Sequence, residues 1–319
     1  MIDTDVLIIG GGVAGLTSAI ATANVGVNVT LVHSEELGGL AGHNVDYGYV
    51  VNGTNYTGVE LADELISRLP KNVKTVHGCV TSLSPNLEAE VVTMQGAFRI
   101  KPLTVVLATG GADKSIINLR AGGTHPLGIY TASQVLHMVN VEGKKIGSRI
   151  IVVGSGDEAL TIAYRLTLEG SKVEAVIENE TYALADAVKV AQTLGDFHIP
   201  FFSDRKITEI HGKKRIESVT VSTTDENGVI STQKIYCDAL VLAMGRVCTP
   251  ALTPYVELNP QGNGVVIDKN ASTSRAGLYA CGDVVGVHRN IAEIISEAQR
   301  AGRSSAIRAK AMLLKRKGR

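Results

Sequence analysis

Two glycine-rich turns constrain this chain more than any other feature: Gly10-Gly11-Gly12-Val13-Ala14-Gly15 and Gly154-Ser155-Gly156-Asp157-Glu158-Ala159. Each follows an apolar run, Asp5-Val6-Leu7-Ile8-Ile9 or Arg149-Ile150-Ile151-Val152-Val153, and each opens a stretch of small residues suited to a helix. Near-continuous apolar runs of this length belong to parallel strands buried on both faces. In a strand-turn-helix of this spacing the first glycine makes the tight turn and the second lets backbone approach a pyrophosphate. The third small residue lets helix and strand pack closely, so the helix N-terminus points at the phosphates. One such turn is a weak signal, but two in register ask for two dinucleotide-binding modules.

The surrounding sequence repeats at domain scale. Leu16 to Asn24 reads as a helix stopped by Gly26, followed by a strand at Val27 to Val32. Ala159 to Glu169 reads as its counterpart, stopped by Gly170 and followed by Val173 to Ile177. Strand-rich sequence follows in each half, Leu87 to Ile100 and Ile207 to Ile235. The halves close alike, on Thr104-Val105-Val106-Leu107-Ala108-Thr109-Gly110 and on Ala239-Leu240-Val241-Leu242-Ala243-Met244-Gly245. What remains after Gly245 is too short for a third domain and is expected to return to the first. It contains Leu278-Tyr279-Ala280-Cys281-Gly282-Asp283 and a helix from about Asn290 to Lys310. The expected fold is α/β, with two Rossmann-like, three-layer ββα dinucleotide-binding domains, the second inserted into the first. Residues 1–112 and 247–319 form one discontinuous domain, and 113–246 the other.

Composition narrows the partners. The 319 residues are 45% hydrophobic and 19% charged, and 31 Lys and Arg balance 31 Asp and Glu. No global field draws nucleic acid or an anionic membrane. The tail Lys310 to Arg319, which includes Lys315-Arg316-Lys317-Gly318-Arg319, reads as a solvated, fraying end or as a docking patch for an acidic partner. Cys79, Cys237, Cys248 and Cys281 are scattered, with no CxxC and no metal-ligand spacing. That pattern suits packing residues in a reducing cytoplasm and argues against a disulfide framework or a metal site. The apolar start carries two aspartates and is broken by Gly10 to Gly12, so neither an export signal nor a membrane span is expected.

The order of the first glycine turn, Ala108-Thr109-Gly110, the second turn, Leu242-Ala243-Met244-Gly245 and Gly282-Asp283 resembles the two-domain pyridine-nucleotide flavoprotein reductases shaped like thioredoxin reductase. Gly128-Ile129-Tyr130-Thr131-Ala132 and Arg165 to Gly170 look, within that group, like flavoproteins associated with glycerol-3-phosphate dehydrogenase and with amino-acid dehydrogenase or oxidase complexes.

The resemblance implies FAD in the first domain, at Gly10, Gly12, Val13, Ala14 and Gly15, with Ala108, Thr109, Gly110 and Val80 beside it. Asp283 after Gly282 would lie along the ribityl chain or pyrophosphate, and Asn290 and Ile291 would open a helix aimed at the flavin. A helix N-terminus carries roughly half a positive charge, which favours an anionic reduced flavin. The acid usual at the second strand end is missing, since the chain reads His33-Ser34-Glu35-Glu36. Glu35, beside Ser34, or Glu36 is the candidate to supply the ribose contact from the loop; the alternative is that both are simply solvated. Gly38-Gly39 would pass near the flavin. His43, His288 and Arg289 are candidates to orient a substrate. The second domain would take a nicotinamide dinucleotide at Gly154, Gly156, Asp157, Glu158 and Gly245. Glu178 at a strand end would accept from ribose hydroxyls and repel a 2′-phosphate. With no arginine between Glu178 and Arg205, NAD(H) is favoured over NADPH.

These features predict an FAD-dependent NAD(P)H oxidoreductase that passes electrons to a small-molecule or protein acceptor without a redox-active disulfide. Three alternatives stand beside it: an electron-transfer subunit serving a partner dehydrogenase, a ferredoxin or flavodoxin reductase, and a non-catalytic nucleotide-binding scaffold or sensor. A homodimer or hetero-oligomer is expected, in the cytoplasm.

Overall fold

The strand β1 (Val6–Ile9) is fully buried and sits at the centre of a parallel sheet. A computed structural model describes residues 4–224, 227–249, 252, 255–261, 264–287 and 290–317. The chain divides into two compact units, Met1–Ala112 with Val247–Arg319, and Asp113–Arg246.

In the first unit β1 leads through α1 (Val13–Ala23) to β2 (Val29–His33), then through α2 (Gly58–Ser67) to β3 (Val73–His77) and on to β4 (Thr104–Leu107). Helix α2 starts at a full capping box: the Thr57 side chain accepts from Glu60 N, and the Glu60 carboxylate accepts from Thr57 N. The second unit repeats the plan with β5 (Ile129–Thr131), α3 (Ala132–Leu136), β6 (Arg149–Val153), α4 (Asp157–Leu168), β7 (Lys172–Ile177), β8 (Phe201–Phe202) and β9 (Ala239–Leu242). The chain then returns to add β10 (Leu278–Ala280) and α5 (Ile291–Lys317) to the first unit.

Both units build the same five-stranded parallel sheet. The orders are β10-β4-β1-β2-β3 and β5-β9-β6-β7-β8, so each glycine-turn strand is central. The outer strand beside β4 arrives late in the chain, whereas its counterpart beside β9 arrives early. Alternation along β1 divides the core, because successive side chains leave opposite faces of a strand. Val6 and Ile8 pack with α1 and α5, while Leu7 and Ile9 pack against the three-stranded meander Cys79–Leu83, Ala89–Thr93 and Gly96–Ile100. In the second unit Ile151, Val153, Leu240 and Leu242 meet a second meander, Lys206–Gly212, Ile216–Thr224 and Ile230–Tyr236, through Ile207, Ile210 and Val219. These are the three-layer α/β sandwiches expected from the sequence.

Two details differ from expectation. Cys79 begins a strand of the first meander and its side chain is exposed, so it is not a packing residue; its register opposite Val92 points it away from the core. Helix α5 continues through Lys317, because Lys and Arg are strong helix formers and favour a helix C-terminus. Asp225 and Glu226 of the hairpin turn, with His288 and Arg289, lie outside the described residues. No described helix is long and apolar enough to cross a membrane.

Candidate dinucleotide sites

In the first unit, the sequence-predicted residues gather where parallel strands end, the edge at which open α/β sheets take ligands. Gly10 to Gly12 follow β1, Ser34 and Glu35 follow β2, Ala108 to Gly110 follow β4, and Gly282-Asp283 follow β10 just beyond Cys281. The turn is possible only with glycine. Gly10 has φ +113°, and a Cβ there would lie 2.1 Å from the Ala108 carbonyl oxygen; a Cβ on Gly15 would lie 1.8 Å from the Gly10 oxygen. Gly12, by contrast, has open space where its Cβ would be, with nothing nearer than the Gly39 Cα at 4.0 Å.

Three further segments close around this turn. Gly38 N donates to the Gly11 oxygen at 2.9 Å, and Gly39 runs so close to Gly12 that its Cβ would be 2.9 Å from the Gly12 Cα. A Cβ on Gly282 would lie 2.7 Å from that of Ala14, which brings the Gly282-Asp283 turn onto the start of α1. Asn290 caps α5, its Oδ1 accepting from Ala292 N at 2.8 Å, and Ile291 is the first residue of that helix. Val80 is buried in the meander.

The N-terminus of α1 has no side-chain cap and no acid in its first turn. Its backbone donors therefore depend on water or a ligand, and the positive end of the dipole is not neutralised. An open glycine beside an uncapped helix end fits the pyrophosphate of a dinucleotide.

At the ends of β2 and β3, where the chain carries no acid, two histidines stand side by side. His33 and His77 stack with ring centroids 5.2 Å apart and planes within 8°. His33 Nδ1 bonds the Glu35 carbonyl at 2.7 Å and His77 Nε2 bonds the Ser34 carbonyl at 3.3 Å, so both imidazoles hold the turn that carries Glu35. A carbonyl only accepts, which places the proton on each of those nitrogens. Ser34, Glu35 and Glu36 are all exposed.

The second unit reproduces the tight turn. Gly154 has φ +103° and its Cβ would lie 2.1 Å from the Ala243 oxygen, Ala159 is fully buried, and the Cβ position of Gly156 is open. Helix α4 has no side-chain cap at Gly156, but it carries Asp157 and Glu158 in its first turn. Gly245 has φ +86° at the mouth of the same sheet.

Glu178 is buried, with 7% exposure, and its carboxylate already has three donors. Oε1 accepts from Asn179 N at 2.7 Å and Glu180 N at 3.1 Å, and Oε2 accepts from the Ser155 hydroxyl at 2.7 Å. A carboxylate offers about four acceptor positions, so one remains, on Oε2.

Sequence reasoning missed three neighbours of these turns. Ser155 sits at the unconstrained second position of its motif. Glu297, 2% exposed, accepts from Gly282 N at 2.9 Å; its signal was an acid on the apolar stripe of Ile294, Ala298 and Ala301. Arg205 is brought beside Glu178 by a backbone bond from its own N to the Glu178 oxygen at 2.9 Å. Among the described residues no cluster could hold a metal ion.

The pyridine nucleotide-disulphide oxidoreductase family model matches residues 4–304, spanning both glycine turns and both sheets. The chain belongs to that family. It is an FAD-containing, NAD(P)H-dependent oxidoreductase. It is 23% identical over 299 residues to the thioredoxin reductase of Treponema pallidum (strain Nichols), covering 88% of this chain and 89% of that one. It is 24% identical over 284 residues to the thioredoxin reductase of Listeria innocua, covering 88% of this chain and 85% of that one. A component of the alkyl hydroperoxide reductase of Staphylococcus aureus (strain MRSA252) is 25% identical over 291 residues, and there the chain spans 54% of the relative's length. In fold it resembles the thioredoxin reductase of T. acidophilum with a TM-score of 0.77 at 22% identity, covering 98% of this chain and 99% of that one.

Proposed function

We propose that this oxidoreductase takes hydride from NADH onto an FAD held by the first unit, at the residues gathered around Gly10 to Gly15, and passes the electrons on without a disulfide of its own. The contrast between the two helix ends supports this division. The N-terminus of α1 offers its full dipole to a phosphate, which suits a resident cofactor. The N-terminus of α4 shares its dipole with Asp157 and Glu158, which repel a pyrophosphate and suit a nucleotide that must leave each turnover. When bound, the flavin supplies the hydride-accepting chemistry. The protein's part is to bind both dinucleotides at the strand ends and to set their orientation.

A single observation carries the choice of NADH: the buried Glu178 carboxylate at the end of β7, with one acceptor position left for a ribose hydroxyl. A 2′-phosphate there would meet a like charge.

The thiols support the second half of the reading. Cys237 is buried, and burial, then the Asp238 charge, push its thiol up to about 12, so it supplies no thiolate near neutrality. Cys248 and Cys281 are also buried, leaving Cys79 as the one exposed thiol. The acceptor is then a small oxidant or the redox centre of a protein partner, the class to which the names of the relatives also point.

Anaerobic stopped-flow reduction tests the reading. NADH is expected to reduce the flavin faster than NADPH, and Glu178→Ala to narrow the gap by about tenfold, the worth of a hydrogen bond to a charged acceptor. A variant with all four cysteines replaced should still reduce artificial acceptors. Equal rates with both nucleotides in the parent, or loss of turnover in a cysteine-free variant that keeps its FAD, overturns the corresponding half.

A further inference from the structure

We infer that Ser155 is the positioning residue of the nicotinamide-nucleotide site: one hydroxyl both aims the Glu178 carboxylate and ties down the loop of residues 179–186. The inference deepens the proposed role of Glu178 and rests on it for the link to nucleotide choice.

The geometry leaves the hydroxyl one arrangement. Ser155 is fully buried. Its Oγ lies 2.7 Å from Glu178 Oε2 and 3.0 Å from Leu184 N. A backbone N–H can only donate, so Oγ accepts from Leu184 and its single proton must go to Glu178. That proton fixes the rotation of the carboxylate about its last bond, and with it the direction of the acceptor position left on Oε2.

The same residue anchors the loop from its main chain. Ala185 N donates to the Ser155 carbonyl at 2.8 Å, and Asp186 N reaches Asp157 Oδ1 at 3.3 Å. From the other end, Asn179 N and Glu180 N both donate to Glu178 Oε1. The loop that leaves β7 is thus stapled at its start to Glu178 and at its finish to the glycine turn, with Ser155 joining the two staples. Tyr182 and Leu184 project from it into solvent, so apolar packing contributes little to holding it, and hydrogen bonds must do so.

Nothing in the turn itself requires serine. The G-x-G-x-x-A spacing places steric demands on Gly154, Gly156 and Ala159, and the second position is free of them. A hydroxyl there, buried and engaged as donor and acceptor at once, is explained by what it organises. Removing it leaves Oε2 without its donor and the Leu184 amide without its acceptor, in a place where lost partners are costly.

The test uses the FAD-loaded 319-residue chain with two readouts that need no turnover: amide hydrogen exchange over residues 179–186 without nucleotide, and equilibrium dialysis of NAD+ and NADP+. In the parent the Leu184 and Ala185 amides are expected to be protected. In Ser155→Ala their exchange should accelerate at least about tenfold and the Kd for NAD+ rise about tenfold, with flavin content unchanged. Combining Ser155→Ala with Glu178→Gln should weaken NAD+ binding no more than about twofold beyond Glu178→Gln alone, since coupled residues are not additive. If Ser155→Ala does not fold, Ser155→Gly replaces it, and the protection of Leu184 in the parent still decides.

An unprotected Leu184 amide in the parent, or a Ser155 variant with parental exchange and parental NAD+ affinity, overturns the inference while leaving the NADH reading intact. A parent that binds NADP+ as tightly as NAD+, in which the Ser155 variant nonetheless frees the loop and weakens both nucleotides, overturns the NADH reading and sustains the role of Ser155.

Discussion

The buried carboxylate of Glu297 in α5 accepts the backbone N–H of Gly282 at 2.9 Å, joining the last helix of the chain to the Gly-Asp turn after β10. Gly282 is itself buried against Ala14 of α1, so this one bond helps hold three distant segments around the first glycine turn. The contact also satisfies an amide in a place that water reaches poorly.

Replacing Glu297 with alanine is therefore expected to destabilise the first unit by about 1–3 kcal/mol, the cost of an unsatisfied buried donor. Thermal unfolding followed through flavin release should report it as a lower midpoint and faster FAD loss. Glu297→Gln keeps an acceptor oxygen and should lose less than half as much. An alanine variant as stable as the parent would show that Gly282 finds another partner at no cost.

The two kinds of glycine in these turns should separate folding from binding. Gly10→Ala places a Cβ 2.1 Å from a carbonyl oxygen at φ +113° and is expected to yield insoluble or colourless protein. Gly156→Ala meets nothing within 4 Å, so the protein should fold, stay yellow and melt like the parent. Its Kd for NAD+ should rise roughly tenfold, because the added methyl stands where backbone must approach a pyrophosphate. Unchanged NAD+ binding by Gly156→Ala would refute that placement.

Thiol reactivity follows from burial. With Cys79 exposed and Cys237, Cys248 and Cys281 buried, native protein at pH 8 should react with a thiol reagent at one site per chain, and Cys79→Ser should abolish the reaction. The remaining three should appear only on unfolding. Rapid labelling of a second thiol in the native state contradicts this expectation.

Cys237 also gives a pH dependence with a definite sign. Its thiol titrates at about 12 when folded against 9.0 for an ordinary thiol, because burial, then Asp238, disfavours the thiolate. The unfolded chain releases this proton first, so the stability it contributes is present below pH 9 and is lost as pH rises from 9 towards 12. Midpoints measured from pH 8 to 10.5 should fall more steeply in the parent than in Cys237→Ala, and parallel slopes would exclude the effect.

Much of this architecture is written locally. Gly10, Gly15 and Gly154 are legible because the turns they make tolerate no Cβ, whatever the rest of the chain does. The apolar runs of β1, β4, β6 and β9 are legible because parallel strands buried on both faces need continuous hydrophobicity. The length of α5 was less clear, since its polar last turns look like a loose tail when read for apolar stripe alone.

The sequence by itself determined the two α/β modules, their glycine turns and the identity of the residues at each strand end, because those depend on backbone sterics and on contacts a few residues apart. Only the tertiary structure decided what the polar side chains beside those turns do. It joined Glu178 to Ser155, Gly282 to Glu297, His33 to His77 and Arg205 to the end of β7. Three of these pairs are separated along the chain by whole strands or helices, while Gly282 and Glu297 lie 15 residues apart on consecutive elements. Their hydrogen bonds and ring contacts exist only once parallel pairing has set the strand ends side by side, and no local pattern encodes a partner supplied by a different element.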